Sequence, residues 1–225
     1  MQFCLLKNGF LALTFVAIAS TNGLITACSN TASQNQSQAP NTTTTNTSDK
    51  QVLNHSMGMD LGPADANFDL RFIDAMIPHH QGAVEMAKEA QTKSKRPEIK
   101  KLADNIIKSQ NQEITRMKQW RQAWYPKAGN QPMAYHSKMG HMMAMSSEQM
   151  KAMMMTQDLG AADAQFDLRF INAMIPHHQG AVTMAQDALK NSKRPEIKKL
   201  AQEIIKAQDT EINQMQQWRK AWYSQ

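Results

Sequence analysis

The sequence predicts an all-α protein: a four-helix bundle made of two tandem helical hairpins, joined by a Met-rich connection. Three observations lead there. First, the chain repeats itself at a constant offset of 98 residues. Phe68-Asp69-Leu70-Arg71-Phe72-Ile73 returns as Phe166 to Ile171, Ala75 to Val84 returns unchanged as Ala173 to Val182, and Lys95 to Ala103 returns as Lys193 to Ala201. No gap is needed, so duplication accounts for the pattern better than chance. Second, each copy shows helical periodicity. Ile99, Leu102, Ala103, Ile106, Gln110, Ile114, Met117 and Trp124 follow the three-four spacing of one helix face. Third, a hydrophobic fraction of 41% with only nine Gly and eight Pro suits a helical core better than a turn-rich sandwich.

Taken in order, residues 1–27 read as an export signal. Lys7 supplies a short positive region, and Phe10 to Ile18 forms an apolar stretch too short to span a membrane. Ile25-Thr26-Ala27-Cys28 resembles a bacterial lipobox, which would make Cys28 a lipidated first residue; ordinary cleavage nearby is the alternative. The expected location is periplasmic or otherwise extracytoplasmic, with membrane contact only through that anchor. Residues 28–60 form an expected disordered tether. Ser29 to Lys50 is nearly all Ser, Thr, Asn and Gln, which cannot offset ordering entropy by burial. Cys4 and Cys28 are the only cysteines, so the mature domain is expected to hold neither an internal disulfide nor a thiolate ligand.

The domain proper is expected over 61–225, with repeats at 65–125 and 163–223 and the linker at 126–162. Each repeat reads as two helices, about Asp65 to Ala90 and about Pro97 to Tyr125 in the first copy. Pro97 suits a first helical position and Pro126 a stop. Pro78 removes a backbone donor, frees the carbonyl of Asp74 and predicts a kink. Neither hairpin can bury its apolar stripe alone, so the two are expected to pack together as one domain. In the linker, Ser147 is a candidate cap for a short helix.

The candidate ligands fall into two groups. On the first helix of each repeat, Met76, His79, His80 and Met86 share an arc with the apolar residues, as do Met174, His177, His178 and Met184 in the second copy. On the second helices, Met117 and Met215 share the apolar arc with Gln110, Glu113, Gln208 and Glu211. Burying such polar groups costs about 1–3 kcal/mol each unless they find partners. The bland reading is that they satisfy one another and that Met fills gaps. The linker is harder to explain by packing: Met133 to Met155 holds nine Met and two His in 23 residues. Its candidates are His136, Met139, His141, Met142, Met143 and Met145, and Met57 and Met59 repeat the theme before the first helix. Thioether is a soft donor that needs no deprotonation, so the set points to copper, Cu(I) first, with Cu(II) and Ag(I) as further candidates. The competing reading is an adaptable Met-rich protein-binding surface.

The net charge is +6, but Lys and Arg alternate with Glu and Asp along the helices, as in Glu98-Ile99-Lys100-Lys101. That marks solvated helix faces and argues against nucleic-acid binding. No nucleophile triad, phosphate loop or catalytic acid pair stands out, so no enzyme activity is expected.

The segments FDLRFIDAMIPHHQGAVEMA and PEIKKLADNIIKSQNQEITRMKQW, and their second copies, resemble the domain-of-unknown-function family 305 over about Asp60 to Tyr223. The resemblance implies a ferritin-like bundle of two helical hairpins. It also implies Cu(I) binding outside the cytoplasm as protection against excess copper, with copper efflux or delivery proteins as candidate partners. It points to Met76, His79, His80, Met86, their copies, and the linker Met and His. Asp74 and Glu85 become Asn172 and Thr183 in the second copy, so those acids are not expected to be shared essential ligands. Two alternatives remain. One is a di-iron or di-manganese oxidoreductase using Asp69, Glu113, Asp167 and Glu211, although the Glu-x-x-His spacing of that architecture is missing. The other is a lipoprotein that binds a partner through its Met-rich segment.

Overall fold

The computed structural model describes residues 60–225, so the expected export signal, most of the expected tether, Cys28, Met57 and Met59 lie outside the described residues. Five helices and one strand pair follow in order: α1 (Phe68–Lys93), α2 (Pro97–Trp124), β1 (Met133–His136), β2 (His141–Ala144), α3 (Ser147–Met154), α4 (Phe166–Asn191) and α5 (Pro195–Tyr223).

The repeat helices form where the periodicity places them, with shifted ends. α1 begins at Phe68 rather than Asp65, because Asp65 is spent on a turn. Its carboxylate accepts from the Asn67 N–H at 2.8 Å and its carbonyl accepts from the Phe68 N–H. α1 also runs past Ala90 to Lys93, where the Ser94 N–H closes the last turn on the Ala90 carbonyl. It continues through Pro78, and α4 through Pro176. Ahead of each pair a buried or half-buried arginine pins the entering loop. Arg71 donates to the Leu61 carbonyl at 2.5 Å and pairs with Asp65, and Arg169 repeats this with Leu159 and Asp163.

The bundle core is shared between the two copies. One cluster joins Phe68, Phe72, Met76 and Met117 of the first copy to Met184, Ala188, Leu200 and Ile204 of the second. The other joins Met86, Ala90, Leu102 and Ile106 to Phe166, Phe170, Met174 and Met215. Each cluster therefore takes one end of each hairpin, and neither hairpin has a complete core of its own. Both ends of the bundle carry the same clamp. The Arg194 guanidinium lies 4.1 Å from the Trp124 ring and 3.6 Å from Asp69; Arg96 does the same with Trp222 and Asp167 at 4.1 and 3.5 Å. A planar guanidinium stacked on an aromatic face while facing a carboxylate uses both of its binding modes.

The linker departs from the expectation of a short helix alone. It first forms an antiparallel hairpin, β1–β2, with Met133 opposite Ala144 and His136 opposite His141. Met has no strand preference and the segment lacks alternating polarity, so the pattern gave no strand signal. Tertiary contacts supply the reason. The Asp74 carboxylate accepts from the Met133 N–H at 2.8 Å and from Arg121, which also donates to the Gly129 and Gln131 carbonyls. Burial raises the Asp74 pKa from its ordinary value, against the pull of Arg121 and the Met133 N–H. Asn172, the equivalent position in the second copy, accepts from Arg219 at 3.3 Å. The Asp74–Asn172 difference thus reflects anchoring of the linker.

α3 follows. Its cap is Ser146, not Ser147: the Ser146 hydroxyl accepts from the Gln149 N–H while the Gln149 side chain accepts from the Ser146 N–H. α3 ends on Met155 in the left-handed conformation, with φ of 49°, and packs on α1. At Gly82 an added Cβ would lie 1.8 Å from the Met154 carbonyl oxygen. Alanine in a helix interior normally stabilises relative to glycine. Here Gly82→Ala must instead push α3 away, at about 1–3 kcal/mol. Thermal unfolding is expected to show a lower Tm, by roughly 2–4 °C per kcal/mol; a higher Tm would mean α3 does not lie on Gly82.

Candidate metal centre

The four bundle histidines come from α1 and α4 at the middle of the fold. His79 and His177 are equivalent in the repeat, and they face each other with ring centroids 3.9 Å apart and planes tilted by 49°. His177 and His178 lie edge to face at 6.3 Å. His79, His80, His177 and His178 are all at most 1% exposed. They sit on α1 and α4 between the stretches that supply the two core clusters, so the arc predicted from the sequence does point inward.

Their partners fix the protons. His80 Nε2 lies 2.6 Å from Glu113 Oε2, and His178 Nε2 lies 2.7 Å from Glu211 Oε2. A carboxylate only accepts, so each Nε2 carries its hydrogen toward the acid. This is the carboxylate–imidazole arrangement that orients metal-ligating histidines. His177 Nε2 donates to the Met154 carbonyl at 3.0 Å. That carbonyl is one of the last in α3 and has no partner inside its helix. Burial, followed by the nearby His178, pushes the His177 pKa down to about 3, so the ring is neutral at physiological pH.

What remains is a set of buried electron pairs. The Nδ1 atoms of His80, His177 and His178 and the Oε1 atoms of Gln110 and Gln208 are shielded from solvent and accept no hydrogen bond. In a neutral imidazole whose Nε2 carries the hydrogen, Nδ1 presents a lone pair. The same four helices carry fully buried thioethers: Met76, Met117 and Met184 in one cluster, Met86, Met174 and Met215 in the other. The two-fold relation of the repeats therefore brings Met76 and Met117 together with Met184 of the opposite copy. Among the described residues no three His, Cys, Asp or Glu side chains gather closely enough to hold a metal ion. An ion in the core would need the thioethers to complete its shell, which favours a soft cation over an oxygen-seeking one. Asp69 and Asp167, considered above as oxygen ligands, face Arg194 and Arg96 in the terminal clamps.

The linker candidates occupy a different environment. Met139 and Met143 are 57% and 40% exposed, His141 is exposed, and His136 is half-buried. Met142 lines an apolar cavity with Leu70, Trp124 and Met133, and Met145 packs against the Met76 cluster. Helical spacing does not mark the Met154 carbonyl or Gly82 as parts of the His177 environment. The duplicated Gly in HHQGA was the available signal of a close approach.

Stability should respond to His177. Its folded pKa of about 3 lies below the ordinary 6.5, so below about pH 6.5 the unfolded chain takes up a proton that the folded one refuses. The stability is complete above that pH and falls as pH drops toward 3, by about 1.4 kcal/mol per unit from this group. Urea midpoints between pH 7 and 4 should fall less steeply for His177→Gln than for the natural chain. Equal slopes would mean that the core does not keep this ring neutral.

Comparison with known proteins agrees with this architecture. The family model described as Domain of unknown function (DUF305) matches residues 18–121 and 69–219. Among solved structures, the chain is similar to CopM in its Cu(I)-bound form, at 42% identity and a TM-score of 0.54. It is also similar to CopM in its Cu(II)-bound form, at 46% and 0.55, and in its Ag-bound form obtained by soaking, at 41% and 0.55. Each match covers 69% of this chain and 97% of the CopM chain. A DUF305 fragment from Deinococcus radiodurans is 28% identical with a TM-score of 0.51, covering 69% of this chain and 96% of the fragment. An uncharacterized protein of Acanthamoeba polyphaga mimivirus is 47% identical over 49 residues, which is 22% of this chain and 32% of that protein. The match spans about a third of that relative. With the repeat, the paired HHQGA helices and the family model all falling on the same residues, the chain belongs to the DUF305 family.

Proposed function

We propose that this protein binds copper, Cu(I) in preference and Ag(I) by the same chemistry, and sequesters or delivers it rather than catalysing a reaction. The observation that carries the reading is the set of five buried, unpartnered side-chain atoms on the same four helices as fully buried thioethers. Each such acceptor costs about 1–3 kcal/mol when nothing donates to it. A soft cation would satisfy imidazole lone pairs and sulfur together, with Glu113 and Glu211 holding His80 and His178 in the required tautomer. The similarity to CopM, which has been solved with Cu(I), Cu(II) and Ag, supports the same choice of ion.

The expected setting is outside the cytoplasm. The N-terminal segment would direct export, Cys28 would offer an anchor, and efflux or delivery proteins would exchange the ion. A thioether and imidazole site suits that setting because it does not depend on reduced thiols.

Anaerobic titration of Cu(I) against a chromophoric chelator tests the reading. The purified chain is expected to take up copper stoichiometrically. The pair Met76→Leu and Met174→Leu, close to isosteric and folded by circular dichroism, should hold it at least about tenfold more weakly, equivalent to about 1.4 kcal/mol. A chain that takes up no stoichiometric Cu(I) would end this reading.

A further inference from the structure

His79, His80, His177 and His178 are at most 1% exposed, so part of the fold must move before an ion reaches them. Separating the two hairpins would break both shared core clusters. α3 is a much smaller obstacle. It has eight residues, of which Met153 is buried, while Ser147, Glu148, Gln149, Lys151 and Ala152 are exposed. A helix this short is marginal by itself in water. Segments with few buried apolar side chains also open at the low end of the stability range.

α3 is fastened on both sides to parts that do not belong to it. Before it, the Met145 N–H donates to the Pro132 carbonyl at 2.8 Å, and the hairpin is tied to Asp74 through Met133. After it, Leu159 is buried and its carbonyl accepts from Arg169 at 2.6 Å. The stretch free to swing is therefore about 146–158. The capping box of Ser146 and Gln149 keeps the helix intact at its start, so it moves as a unit. At its end Met155 has φ of 49°, a conformation uncommon for a side chain other than glycine, Asn or Asp. The backbone can relax there when α3 lifts.

We propose that α3 is a latch on the bundle centre, which lifts from Gly82 to uncover the His177 ring and closes more firmly once a cation is bound there. The cation rests on the soft-metal reading above; the moving part does not. Two features of the contact make closure respond to charge. The Met154 carbonyl accepts from His177 Nε2, so an ion held at Nδ1 would draw electron density from the ring and strengthen that hydrogen bond. It is also the C-terminal end of α3 that meets the ring, and the carbonyls at a helix C-terminus favour nearby positive charge. By linkage, the bound ion and the closed latch then stabilise each other by the same factor. An occupied core would thus be felt along 146–158, at the surface of the molecule.

The test uses the full natural chain, Gly82→Ala, and the double variant Ser146→Ala/Gln149→Ala, whose altered side chains are exposed and belong to no candidate ligand. Amide hydrogen exchange of a peptide spanning 146–158 is followed by mass spectrometry with and without saturating Ag(I). Release of bound Cu(I) to excess chelator is followed by stopped flow without oxygen. Without an ion the 146–158 peptide should exchange faster than peptides from α1 and α4, and Ag(I) should slow it about fivefold or more. The double variant should bind as many ions as the natural chain, and both variants should release Cu(I) about fivefold faster or more. If bound Ag(I) leaves the 146–158 exchange unchanged, or both variants release Cu(I) at the natural rate, the latch is wrong while the binding reading stands. If the natural chain binds neither ion, both fall.

Discussion

The constraint on which the rest of the molecule depends is the meeting of His79 and His177 across the middle of the bundle. Two equivalent imidazoles in van der Waals contact can occupy that position only if the two hairpins cross there in a two-fold relation. The crossing then sets which ends share a core. Met76 is brought to Met184 and Met86 to Met174, and each terminal Arg reaches the Trp of the other copy. Polar groups at the centre of a helical core are expensive unless the surroundings hold them. Glu113 and Glu211 do so for His80 and His178, and the end of α3 does so for His177.

The helices of the repeat were legible because a 3.6-residue apolar period is a strong signal over more than 20 residues, and gapless duplication supplied it twice. The need for the hairpins to share a core followed from the width of their apolar stripes. Other features were not legible, for identifiable reasons. The start of α1 depends on whether Asp65 caps a turn or joins the helix, a competition between side chain and backbone that the period does not register. The β1–β2 hairpin depends on Asp74 and Arg121, more than ten residues away in sequence, and its methionines carry no strand preference. At the site, the inward arc of Met and His was readable from spacing. Which nitrogen of each ring stays free was not, because it is decided by acceptors on other helices.

The two copies are alike in core and unlike in surroundings. α3 covers Gly82 and gives the Met154 carbonyl to His177, and the hairpin is tied to Asp74. A near-symmetric bundle thus carries an asymmetric layer. The linker is held at both ends, by a buried carboxylate at Met133 and by a buried imidazole at Met154. Its methionines are divided accordingly: Met153 and Met155 are buried, while Met139 and Met143 remain at the surface.

The exchange of core and clamps between the copies has a consequence for how such a chain arises. A lone hairpin of this kind would find its missing half only in another molecule of itself, as a homodimer whose assembly depends on concentration. Joining two of them by a tether makes that encounter intramolecular, at an effective concentration set by the tether. It also releases the halves from identity. A symmetric dimer must change both subunits with every mutation, whereas the fused chain can carry an acid in one half, where it moors the connecting segment, and an amide at the equivalent position of the other, as Asp74 and Asn172 do.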